Sequence, residues 1–138
     1  VENSSDAFSE EDAHYIIQIM TKEFDKRKVE IKKYIIEFLI LLFGNNYSLI
    51  KEVDFEDFIA SLVDFLYIDD AFMLIPTLKL IDIILTDEFD SDGENPLINY
   101  LSNDEKIELI KQLTDHENRS VADSATQILN SLDFVQKV

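Results

Sequence analysis

Residues 34–43, YIIEFLILLF, are apolar or aromatic at every position except Glu37. A helix that is apolar nearly all round must be buried nearly all round, and a run of ten residues is too short to cross a bilayer. The run therefore predicts a central core helix. Its start falls near Val29, and Gly44 supplies the left-handed residue that commonly follows a helix C-terminus, giving about four turns. Other helices are expected around it, because the chain of 138 residues holds only two Gly and two Pro, too few for the tight turns of a hairpin-rich sheet. The predicted class is all-α, and the length suits a single domain over 1–138.

Along the chain, Ser9 precedes a helical pattern with Asp12 three residues on, a weakened capping box, and Ala13, Ile16, Ile17, Met20 and Phe24 then share one face. The central helix spans 29–44. Asn45 and Asn46 break the chain, a short helix is predicted over 47–53, and a longer one over 55–67 has Phe58, Ile59, Leu62, Val63 and Leu66 as its buried face. A second helix of the central kind covers 71–86, with Pro76 near its first turn, where proline is tolerated or produces a kink. Residues 87–94 read as a loop, followed by helices over 96–101, 104–113 and 120–134. No stretch alternates as a strand would, so seven or eight helices are expected.

Three of these helices carry one pattern. Their stripes are Ile31, Ile35, Phe38 and Leu42; Leu74, Leu78, Ile81 and Leu85; and Val121, Ala125, Ile128 and Leu132, each stepping by four, three and four residues. Corresponding positions lie 43 and then 47 residues apart. The helices before them agree, since Ile16, Ile17 and Met20 map onto Leu62, Val63 and Leu66 and then onto Leu109, Ile110 and Leu113, at offsets of 46 and 47. A period in the forties is what stacked helical repeats require, because no single unit buries its apolar face alone. The repeat boundaries fall near 9–44, 45–86 and 95–134.

On these residues the chain resembles the armadillo and HEAT repeat families. Residues 43–70, FGNNYSLIKEVDFEDFIASLVDFLYIDD, look like the armadillo junction at which one third helix ends and the next repeat begins. ENPLINYLS and VADSATQILNSL look like the first and third helices of a further repeat. Asp54 stands where armadillo repeats commonly place Gly, which leaves both armadillo and HEAT geometry open. The resemblance implies a right-handed α-solenoid of about two and a half repeats, forming a segment of a larger protein; a first residue other than Met fits that expectation. It also implies a concave face of third helices that binds an extended peptide or a helix of a partner protein.

Placed one residue before each stripe, that face consists of Glu30, Tyr34, Glu37 and Leu41, then Met73, Thr77, Leu80 and Ile84, then Ser120, Ser124, Gln127 and Ser131. Importin-α-like proteins carry Trp and Asn there to hold basic peptides. Here Glu37, Leu80 and Gln127 fall at the Trp positions and Leu41, Ile84 and Ser131 at the Asn positions, which argues against a receptor for nuclear localisation signals. The first two sets are mostly apolar and suit an amphipathic helix, or further helices of the same protein.

Charge narrows the partners. A net charge of −17 opposes nucleic acid and anionic lipid surfaces. Six of the twelve cations cluster in Lys22, Lys26, Arg27, Lys28, Lys32 and Lys33, which reads either as a solvated helix start or as a basic docking patch. The chain has no Cys, hence no disulfide framework, and an intracellular setting, cytoplasmic or nuclear, is expected. The sequons at Asn3, Asn46 and Asn118 are read as unused. Neither His14 nor His116 has a partner at ligand spacing, and Gly44 and Gly93 build no phosphate loop. Asp90, Asp92 and Gly93 fit three positions of an EF-hand loop, but Glu88, Asn95, Pro96 and Asn99 break the pattern.

No enzyme, cofactor or metal site is therefore expected. The sequence points to a non-catalytic scaffold or adaptor module. The alternatives are a structural or assembly domain that self-associates or stacks on further repeats, with Phe134, Val135 and Val138 as an uncapped apolar end, and a transport adaptor for basic cargo.

Overall fold

The computed structural model describes residues 10–44, 56–68, 70–86 and 100–137. Among them all regular structure is helical and no strand occurs. Six α-helices are present: α1 (Glu10–Glu23), α2 (Val29–Gly44), α3 (Glu56–Asp64), α4 (Ala71–Thr86), α5 (Asp104–Leu113) and α6 (Arg119–Lys137). The count is six among the described residues, against an expected seven or eight. The short helices expected over 47–53 and 96–101 lie outside the described residues, apart from helical Tyr100 and Leu101. The side chains of the apolar end, Phe134, Val135 and Val138, and the EF-hand-like loop over 88–99 also lie outside them.

The helices come in three pairs joined by tight turns. α1 runs into a 3-10 turn, Phe24–Lys26, and α3 into another, Phe65–Tyr67. In each, the backbone N–H three residues after the phenylalanine, on Arg27 or Ile68, donates to the phenylalanine carbonyl at 3.2 Å. Phe24 and Phe65 are both buried, so the core anchors each turn at its first residue. Helices α4, α5 and α6 start on capped ends. Asp70 accepts from the Phe72 N–H at 2.9 Å and Asn103 from the Lys106 N–H at 2.9 Å, satisfying donors that a helix leaves without intrahelical partners. Asn118 does the same for α6, accepting from Ser120 at 2.9 Å and Val121 at 3.3 Å; this sequon serves as a helix cap.

α4 is the centre of the molecule. It packs most extensively on α6 and next on α2, while α5 packs on α6. Phe24 ties the first pair to the second through edge-to-face contacts with Phe58, at 5.0 Å, and Phe65, at 5.9 Å. The second pair meets the third where the Lys106 ammonium lies 4.4 Å from the Tyr67 ring centroid and 3.7 Å from Asp64.

The expected stripes on α4 and α6 are buried throughout. On α2 the core face is rotated: Ile35 and Leu42 are buried, Phe38 is half-buried, Ile31 is exposed, and Ile36 and Leu39 are buried in addition. A run that is apolar at nearly every position has period without phase, so its rotation is decided by neighbours.

Candidate functional site

The exposed side chains of α2, α4 and α6 are where the fold offers a surface. On α2, Glu30, Tyr34, Glu37 and Leu41 are all exposed, Tyr34 and Leu41 each to 65%. On α6, Ser120 and Gln127 are exposed while Ser124 and Ser131 are half-buried.

On α4 the expectation fails. Met73, Thr77, Leu80 and Ile84 are buried and belong to the core. The reason is position: α4 lies between α2 and α6 and buries most of its circumference. Thr77 is accepted there because its hydroxyl donates to the Met73 carbonyl at 2.8 Å, which satisfies the one polar group the side chain brings inside. The solvent side of α4 is instead Phe72, 67% exposed, and Lys79, bordered by half-buried Ile75, Asp82 and Ile83.

Two contacts join these sides across the helices. The Lys33 ammonium sits 3.8 Å from the centroid of the Phe72 ring and 3.7 Å from the Glu37 carboxylate, linking α2 to α4. The Gln127 amide donates to Asp82 at 3.3 Å, linking α4 to α6. Beside that second contact a cavity of about 280 Å³ is lined by Ile75, Leu78, Lys79, Asp82, Ser124 and Gln127. Burial raises the Asp82 carboxyl above the ordinary aspartate value. The result is one continuous face that carries aromatic, aliphatic and charged groups.

Sequence reasoning missed Phe72 and Asp82. The signal was present, since Lys79 and Asp82 are the only charged residues in α4 and both mark its wet side.

The basic cluster is largely engaged within the molecule. Lys26, Arg27 and Lys28 are exposed, Lys32 and Lys33 half-buried. Arg27 hydrogen-bonds Glu23 and Lys26 lies 4.0 Å from it; the Arg27 hydrogen bond, then its charge and that of Lys26, hold the Glu23 carboxyl below its usual range. Lys32 lies 5.4 Å from the Phe24 ring and 5.8 Å from Phe65. A wider cleft of about 460 Å³ between the end of α1 and α3 is lined by Lys22, Asp25, Lys26 and Asp57 among others, and Ser61 donates to Asp25 there at 2.9 Å. Both charge signs line it, so it favours no ligand of single charge.

His116 is part of a turn, its Nδ1 accepting from the Asn118 N–H at 3.0 Å. Among the described residues no group of three or more His, Cys, Asp or Glu converges as a metal site would, and no helix is long and apolar enough to cross a membrane. Compared with known proteins, the chain matches no family model, no curated protein and no solved structure.

Proposed function

We propose that this chain is a non-catalytic protein-interaction module built from armadillo- or HEAT-like helical repeats, and that it recognises a peptide or helix of a partner protein through the α2–α4–α6 face. The observation that carries the reading is the succession of three helix pairs in which α4 packs on both α2 and α6. The Asp82–Gln127 contact joins residues 45 apart, inside the range of the sequence period. A row of equivalent helices creates a long face without a catalytic cleft, which is the use such arrays are built for.

The test is affinity capture with the native chain beside Phe72→Ser/Lys79→Ser, folding being checked by circular dichroism. Both substituted residues are exposed, so the variant folds. A partner held by the native chain and lost by the folded variant supports the reading, and equal capture by both contradicts it.

A second reading, self-assembly, is favoured by one observation: Tyr15, Ile19, Val29 and Ile31, all on the first helix pair, are exposed large apolar side chains. Sedimentation over a concentration series decides it, a monomer throughout arguing against assembly. The net charge of −17 opposes it.

A further inference from the structure

We infer that the first helix pair docks an amphipathic helix of a partner protein along Ile31, Tyr34, Phe38 and Leu41, with basic residues of that helix facing Glu30 and Glu37. This rests on the interaction-module reading above and names the partner's chemistry.

The three second helices are compared by aligning their first residues, Val29, Ala71 and Arg119. The α2 positions then correspond to Met73, Pro76, Leu80 and Ile83 of α4. On α4 the first three are buried and Ile83 is half-buried. On α6 the corresponding face begins with buried Val121 and with Ser124, which lines the cavity against α4. This face is therefore covered on α4, and on α6 it meets α4 at Ser124. On α2 the same face stands open: Ile31 is exposed, Phe38 half-buried, and Tyr34 and Leu41 are 65% exposed.

The α2 residues are as apolar as their α4 counterparts, so the difference lies in the neighbour and not in the residue type. Their spacing of three, four and three residues keeps them within one narrow arc of the helix, the seam along which a second helix packs.

Charge selects the occupant. Glu30 and Glu37 run beside the seam and are exposed, with Lys33 3.7 Å from Glu37. A second copy would set these glutamates near their own copies. A helix with lysines or arginines flanking an apolar seam meets both the apolar face and the two glutamates beside it.

Fluorescence anisotropy with two labelled synthetic peptides tests this. Each has three heptads, about 21 residues, with Leu and Ile on the seam; one carries Lys on the flanks and the other Glu. The Lys-flanked peptide should bind the native chain, and more weakly as salt rises. The charge-preserving variant Tyr34→Ser/Leu41→Ser should bind it at least about tenfold more weakly, whereas Gln112→Ser, on the exposed side of α5, should bind it like the native chain. Equal binding by native chain and double variant would mean that net charge alone attracts the peptide, and overturns the inference. So does equal affinity for the Glu-flanked peptide, or a sedimenting dimer that the double variant dissociates, which makes the second copy the occupant. Failure of the double variant to fold would make these residues core and also overturns it. If the peptide result fails while Phe72→Ser/Lys79→Ser still loses its captured partner, the interaction-module reading stands without this inference.

Discussion

At the scale of single residues the structure separates side chains that hold the fold from those that meet solvent. Leu78 is fully buried between helices, and Leu78→Ala should cost about 3 kcal/mol through lost burial and a residual cavity. Leu41→Ser should change stability by no more than about 0.5 kcal/mol. Thermal or urea unfolding of the two variants checks both, and similar losses would mean that Leu41 is core.

Asp82 behaves differently. Its folded carboxyl titrates above the ordinary value of 3.8 because burial disfavours the anion, so its contribution to stability is fully present below that value and is lost as the pH rises through the folded value. Asp82→Asn, which keeps an acceptor for Gln127, should therefore raise the melting temperature at pH 7, by an amount that shrinks to nothing below pH 3.8. A lowered melting temperature at pH 7 would contradict this.

Glu105 has the opposite sign. The Tyr67 hydroxyl donates to it, and that hydrogen bond, ahead of the nearby Lys106 charge, holds the carboxyl below 4.5. Its contribution is present above that value and fades as the pH falls through the folded value. On Lys106 itself burial works against the charge, but the Tyr67 hydroxyl, which accepts from it at 3.0 Å, and the negative charges of Asp64 and Glu105 outweigh it and raise the ammonium pKa. Tyr67→Phe should return the Glu105 carboxyl towards 4.5 in an NMR titration; an unmoved value would show that the hydroxyl is not the cause.

At the scale of elements, what the sequence made legible depends on how much each helix is covered. The bounds of α2 and α4 are plain because Gly44 ends one and Asp70 caps the next. On α6 the apolar residues are few, so Val121, Ala125, Ile128 and Leu132 mark the core by themselves. α4 carries apolar residues around most of its circumference, and its stripe identifies residues that are buried without revealing which others are exposed. The apolar pattern also runs one residue out of register with the helix starts, which moves the wet side from Thr77 and Leu80 to Phe72 and Lys79. What the pattern lacked was the neighbour on each side of α4, and that is a property of packing alone.

The rotation of α4 can be tested directly. Thr77→Glu should abolish cooperative folding, because it places a carboxylate where only a self-bonded hydroxyl fits. Lys79→Glu should leave the helical circular dichroism spectrum unchanged. The reverse pattern would place Thr77 on the surface.

At the scale of the whole molecule the second helices stand in a row, α2 beside α4 and α4 beside α6. The three pairs are tied in sequence, Phe24 reaching α3 and Tyr67 reaching α5, so each pair relies on its neighbours. The same row keeps Phe72, Asp82 and Gln127 on one continuous face and exposes the α2 seam. A closed three-helix cluster would bury that seam.

The chain has no cysteine, so spin labels can be introduced in pairs without background. Glu37, Lys79 and Gln127 occupy equivalent positions on α2, α4 and α6 and are all exposed. Packed helices lie roughly 8–10 Å apart. Electron paramagnetic resonance on the three doubly labelled variants should give similar α2–α4 and α4–α6 separations, and an α2–α6 separation larger by about one interhelical spacing. Three equal separations would mean a closed bundle, and would contradict the row on which both the shared face and the open seam depend.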